Sequence, residues 1–450
     1  VTVQYNLYAY ESGMHTAIDV DYLYACGDIA VPALVKLIGD TDDTVRADAL
    51  SALKALRDHR GGNRRSASAA SLRADRLFAE CVERRQVQSA LTALFRRRGY
   101  AEVSTPEVEF YDLFVQSGNP IPQEGMLKII DRSGKIMVMR PDSTTPIARV
   151  AATKLKTVPL PQRLYYDQTV FRSGHAHDGG SSEIAQCGVE MIGAVGKKAD
   201  VEMVAMAVDS LRACGVKRFH VELGHAGFFR ALAARMDMPE DELEQMRAYI
   251  EGKNYAALGD LLEPYGGQQA CRALKRLPYL FGGVETLDEA RGLAGESEAL
   301  DYLRQIYDEL DAAGYGGYLR FDLGLVHQID YYTGVVFRGY AEGAGAPVLS
   351  GGRYDSLVER FGRKAEATGF AVDVDGVGSC LTVTVPKLEM VVHYEDGCFA
   401  QALAVMDERP DGSCELSPCR TVESSANLAR EKGAELLLIV EKGTERLVRL

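Results

Sequence analysis

Between Glu183 and Gly193 the chain alternates with a period of two, Gln186, Gly188 and Glu190 against Ala185, Cys187, Val189 and Met191. Successive side chains of a strand point to opposite faces, so this segment predicts a strand with apolar core on one side and a polar face on the other. That face sets an amide and a carboxylate on either side of a glycine gap, an expected span of about 7 Å, which suits a clamp for an amino acid. Leu164 to Arg172 supplies the antiparallel partner, and the connecting Ser173–Ser182 is Gly-rich without Lys or Arg.

A second block, Phe321 to Asp355, predicts two strands joined by a Gly-rich connection. It carries Asp330-Tyr331-Tyr332-Thr333-Gly334, the β-rich run Val335 to Tyr340, and Gly351-Gly352-Arg353-Tyr354-Asp355. Phenols and carboxylates together offer an apolar wall and oriented hydrogen bonds, as a small zwitterion with a polar ring requires. Upstream, Met126–Ile130 and Lys135–Met139 predict a hairpin around Asp131–Gly134, leading into Arg140-Pro141-Asp142-Ser143-Thr144-Thr145-Pro146. There Thr145 is expected to cap a helix that begins at Pro146.

These blocks resemble histidyl-tRNA synthetase, a class II aminoacyl-tRNA synthetase. The resemblance implies an α+β fold: a class II synthetase-like antiparallel sheet flanked by helices. It implies that Asp142 and Thr144 meet the α-ammonium of histidine, that Gln186 and Glu190 hold the amino end and imidazole, and that Asp330, Tyr331 and Tyr332 complete the pocket. Arg172 matches the arginine of class II motif 2, and Thr105–Phe110 resembles motif 1, which in that family lies at a dimer interface. Three departures remove cations that the synthetases direct at ATP and the carboxylate. His327-Gln328-Ile329 stands where Arg-Gly-Leu is expected, the 173–182 loop has no basic residue, and Asp375-Gly376 replaces Glu-Arg in motif 3. Removing even one such group costs about 3 kcal/mol of transition-state stabilisation.

A histidine pocket without those cations is similar to the regulatory-subunit family of ATP phosphoribosyltransferase. That likeness implies no catalytic residue, cofactor or metal. It implies instead a short-form catalytic subunit as partner, a homodimer, and histidine as effector, with His327 either replacing the lost arginine's contact or filling its space. A divergent histidyl-tRNA synthetase is the alternative.

The rest of the chain sets limits. A formal net charge of -13 without a long Lys/Arg block argues against a nucleic-acid partner. No run of about 20 apolar residues and no signal-peptide pattern occurs, so a cytoplasmic protein without membrane contact is expected. Nine scattered cysteines read as reduced thiols rather than disulfides or a zinc site. Residues 1–65 read as a HEAT-like helical segment and linker, with helix-spaced apolar positions over 28–58. Residues 66–384 form the synthetase-like core, including a mostly helical insertion over about 227–314 in which no chemistry is evident. Residues 385–450 make a small α/β unit. From Leu72 to Arg98 the stripe Leu77, Cys81, Val87, Leu91, Leu94 and Phe95 predicts an amphipathic helix stopped by Gly99.

Overall fold

The computed structural model describes residues 69–116, 121–173, 181–326, 331–383, 387–408 and 413–450. The HEAT-like segment, most of the 173–182 loop, and His327 with Asp330 lie outside them. Two compact units are distinguished, Glu80–Thr382 and one that includes Val383–Leu450.

The first unit is built on a nine-stranded sheet and a small three-stranded one. In chain order its strands are β1 (Ala101–Glu102), β2 (Val108–Phe110), β3 (Lys128–Ile130), β4 (Ile136–Met139), β5 (Gln162–Phe171), β6 (Glu183–Ile192), β7 (Phe219–His225), β8 (Phe281–Gly282), β9 (Leu319–Asp322), β10 (Val335–Ala341), β11 (Leu349–Arg353) and β12 (Ala367–Asp373). The large sheet runs β1-β5-β6-β12-β11-β10-β7-β9-β8, and β2-β4-β3 stand apart. The central strands pair antiparallel as expected, but β1 with β5 and β7 with β9 are parallel. The parallel pairs sit where a strand returns after a long crossover, a connection that parallel pairing needs.

One face of the sheet is core. Tyr165, Cys187, Val189, Val221, Leu223, Phe337 and Phe370 pack with Met203, Val204, Ala207 and Leu211 of the helix Lys197–Ala213 and with Val87, Leu91, Leu94 and Phe95 of the helix Ala69–Arg97. The stripe expected on the latter helix is therefore buried only from Val87 on; Leu77 is 62% exposed and Cys81 is exposed. Gly99, at φ +82°, ends the helix in a left-handed turn open to glycine at least strain. The arginines at that end are spent locally: Arg96 on Glu102 and Tyr165, Arg98 on Asp209.

The helix after Asp142 begins two residues earlier than expected, at Thr144, and its cap differs. The Asp142 carboxylate, not Thr145, accepts from the Thr145 backbone N–H at 2.7 Å and from its hydroxyl at 3.2 Å. A carboxylate satisfies a free N–H better than a hydroxyl and complements the helix dipole. Beyond β7 the expected insertion is present as helices between Ala226 and Ala312, broken near Gly252 and Pro278; it also contributes β8 to the sheet edge.

Beneath the sheet lies a buried ion pair. Arg353 on β11 is 7% exposed and reaches Asp200, 2% exposed, at 2.8 Å, and also Asp355 at 3.1 Å. Tyr302 donates to the same Asp200 at 2.7 Å.

The second unit is a four-stranded sheet, β14-β13-β15-β16, of β13 (Met390–Tyr394), β14 (Cys414–Leu416), β15 (Leu436–Glu441) and β16 (Thr444–Arg449), with helices Phe399–Asp407 and Val422–Glu431. β14 and β16 were not foreseen, being short or almost wholly exposed. His393 is satisfied by Ser425 at 2.8 Å, a buried polar contact. No helix among the described residues is long and apolar enough to cross a membrane.

Removing one partner of a buried pair strands the other charge. Arg353→Met is expected to lower the unfolding free energy by about 3–5 kcal/mol in urea titration, whereas Arg96→Met, at a solvent-exposed pair, should change it far less.

Candidate functional site

The other face of the sheet is the floor of a cavity of about 950 Å³. Antiparallel register sets partners side by side, so the floor can be read across strands. One row is Glu190, Gly369, Gly352, Val336 and Gly224; the next is Gly188, Ala371, Ser350, Arg338 and Glu222. Small residues fill the middle of both rows, and polar groups rise at the two ends. The glycines are required by close approach: a Cβ on Gly369 would fall 2.0 Å from Glu190 Oε2, and one on Gly188 would fall 2.5 Å from both the Tyr166 ring and the Phe370 carbonyl.

Of the residues expected in the pocket, Asp142, Thr144, Arg172, Gln186, Glu190, Tyr331 and Tyr332 all line this cavity. Gln186 and Glu190 are four residues apart on β6, which at strand rise is about 13 Å rather than the expected 7 Å. They therefore face different parts of the cavity. Sequence reasoning missed Tyr354, although it sits inside the Gly-Gly-Arg-Tyr-Asp block, and missed Tyr166, Glu222, Asp322 and Arg338. Strand alternation could have exposed Glu222 and Arg338. Lys253, Tyr255 and Phe281, from the insertion, also line the cavity, so the insertion forms part of its wall.

Glu190 is the most constrained group. It is 1% exposed, and its oxygens accept from Thr144 Oγ1 at 2.7 Å and from the Tyr354 hydroxyl. Burial pushes its carboxyl up to about 8, only partly offset by the Tyr354 and Thr144 hydrogen bonds, and the Asp142 carboxylate adds to the rise. A rise of this direction favours the protonated carboxyl near neutral pH. The tyrosines around it form one block: Tyr331 stacks on Tyr354 with centroids 5.5 Å apart, and meets Tyr332 edge-on at 5.1 Å.

Arg172 faces the same space. Its Nε donates to the Pro141 carbonyl at 2.9 Å, and burial lowers its pKa against the pull of Asp142. Around the whole cavity, among the described residues, the carboxylates are Asp142, Glu190, Glu222, Glu251, Asp322 and Asp373, and the cations only Arg172, Lys253 and Arg338. With the Glu190 carboxyl protonated, five acids still face three cations, a balance that disfavours a triphosphate. Where motif 3 is expected to offer an arginine, Gly376 offers only its N–H, given to Asp373 at 3.0 Å, and Asp375 is held by Arg84 at 2.8 Å.

The sheet order is that of a class II aminoacyl-tRNA synthetase-like fold of the histidyl type. A family profile described as "Histidyl-tRNA synthetase" matches residues 72–377. A solved histidyl-tRNA synthetase from Nostoc sp. PCC 7120 shares the fold at TM-score 0.67 and 17% identity, covering 82% of this chain and 94% of that one. Sequence places the chain more finely. An ATP phosphoribosyltransferase regulatory subunit of Clostridium kluyveri is 43% identical over 67% of this chain and 79% of its own length, and one of Clostridium novyi is 36% identical over 82% and 90%. A structure described as an ATP phosphoribosyltransferase regulatory subunit/histidyl-tRNA synthetase from Bacillus halodurans C matches at TM-score 0.71 and 29% identity, covering 80% of this chain and 93% of that one. The chain belongs to the family of ATP phosphoribosyltransferase regulatory subunits.

The raised Glu190 has a signed consequence. Unfolded, its carboxyl loses the proton near about 4.3. From there up to about 8 the folded state alone keeps it, so the group's contribution to stability is full in acid and falls as pH rises through that window. Glu190→Gln should flatten this fall in urea melts taken across the window; a slope equal to wild type would contradict the assignment.

Proposed function

We propose that this chain is the non-catalytic regulatory subunit of an ATP phosphoribosyltransferase, acting in the cytoplasm on a short catalytic subunit at the first step of histidine biosynthesis. Histidine is its effector, and it binds in the Glu190 cavity. The observation that carries this reading is the mismatch within one pocket. The amino-acid clamp of Thr144, Gln186, Glu190 and the tyrosines lines it, while carboxylates outnumber cations two to one. Adenylation needs preorganised cations around the transferring phosphate. A pocket that holds an amino acid without them can bias an equilibrium between two assembly states, which is all an effector site must do. The names borne by the relatives point the same way.

The motif 1 region supports self-association. Phe110, Ile129, Ile130 and Ile136 on β2–β4 are 52, 42, 73 and 47% exposed, an apolar patch of the kind that marks an interface. We assign it to a homodimer. Ile130→Asp with Phe110→Asp should yield monomers in sedimentation velocity, and a dimer unchanged by both substitutions would remove the assignment.

A second reading, a divergent synthetase, draws on the matched profile and on Arg172. Histidine-dependent ATP–pyrophosphate exchange separates the two. No exchange is expected, together with activation of a short catalytic subunit on mixing; measurable exchange overturns the regulatory reading. In calorimetric titration Glu190→Ala should weaken histidine binding at least tenfold, about 1.4 kcal/mol. An unchanged affinity would move the effector elsewhere.

A further inference from the structure

The cavity is larger than one amino acid requires, standing near the top of the roughly 300–1,000 Å³ range of drug-sized ligand sites. Its two polar ends belong to different strands. The Glu190 end rises from β6, and the other from β10, β7, β9 and the insertion, three to five strand positions away across the small-residue floor.

At that far end, among the described residues, Arg338, Lys253 and Asp322 stand without an ion-pair partner, and Glu222 has only His220. Arg338 on β10 is directly opposite Glu222 on β7, yet no ion pair within 4 Å forms between them. Opposite charges facing each other across a ladder normally engage. Glu222, 7% exposed, is met by His220 at 3.1 Å, and Asp322 accepts only the Gly324 N–H, at 2.9 Å. Burial raises the pKa of both carboxyls, as expected of acids that have lost water without gaining a full counter-charge. Lys253, in a left-handed conformation at φ 54°, stands exposed at the rim. Tyr255 and Tyr340 give this end an apolar wall.

We propose that this far end is a second subsite, for the zwitterionic head of another amino acid. Arg338 and Lys253 take its carboxylate, and Glu222 and Asp322 take its ammonium. A phosphate fits less well, since it would gain two cations while lying beside two buried acids. One ligand carrying both signs satisfies all four groups together. The inference deepens the reading of the cavity as an amino-acid pocket and rests on it.

Equilibrium dialysis of the full chain against radiolabelled histidine tests it, followed by each other proteinogenic amino acid at saturating histidine. Two zwitterions per chain are expected. Arg338→Gln with Lys253→Gln should abolish one and leave the other, Glu190→Gln the reverse, and Arg338→Lys should restore at least part of the lost binding. Thermal melts of each variant identify any loss that is only unfolding. One histidine per chain, lost in Glu190→Gln, indifferent to the Arg338/Lys253 pair and joined by no second amino acid, overturns the second subsite and leaves the effector reading standing. No histidine, but another amino acid bound through Arg338 and Lys253, supports the subsite and overturns that reading. No amino acid bound at all overturns both.

Discussion

The Arg353–Asp200 ion pair is the interaction on which the site depends. Arg353 grips Asp200 on the core helix and Asp355 two residues along its own chain. Asp355 in turn accepts from the Thr333 hydroxyl at 2.8 Å and from the Ala367 N–H at 3.2 Å. Thr333 directly follows the pocket tyrosines, and Tyr354, between the two grip points, donates to Glu190. One guanidinium thereby sets the positions of both the tyrosine block and the acid. Buried pairs add little net stability over an apolar filling, but they fix geometry, which is what a recognition pocket needs.

Above that frame the site is defined as much by missing side chains as by present ones. Gly188, Gly369 and Gly352 keep the floor low, and any Cβ there would run into carbonyls or rings. The same economy applies to charge. With Gly376 where the synthetases carry an arginine and Asp375 committed to Arg84, neither position directs a free cation at the cavity.

Much of this was legible in sequence, for a local reason. The strand at 183–193 announces itself through alternation, and the pocket faces of Gln186 and Glu190 follow from the same period. What escaped depends on tertiary placement. The cap at the helix start fell to Asp142, whose carboxylate accepts from both the N–H and the hydroxyl of Thr145, a placement that composition does not decide. Lys253 and Tyr255 lie in a helical insertion with no pattern that distinguishes them from solvated residues; only folding brings them to the cavity. β16 is nearly all exposed and so lacked an apolar period to reveal it.

The stacked tyrosines have a spectroscopic consequence. The chain contains no tryptophan, so its near-ultraviolet absorbance and emission belong to tyrosine, and Tyr166, Tyr331, Tyr332 and Tyr354 are gathered around a single carboxyl. Phenol spectra respond to changes in local polarity and hydrogen bonding. The pocket therefore carries its own optical reporter, and occupancy can be followed in unlabelled protein by difference absorbance.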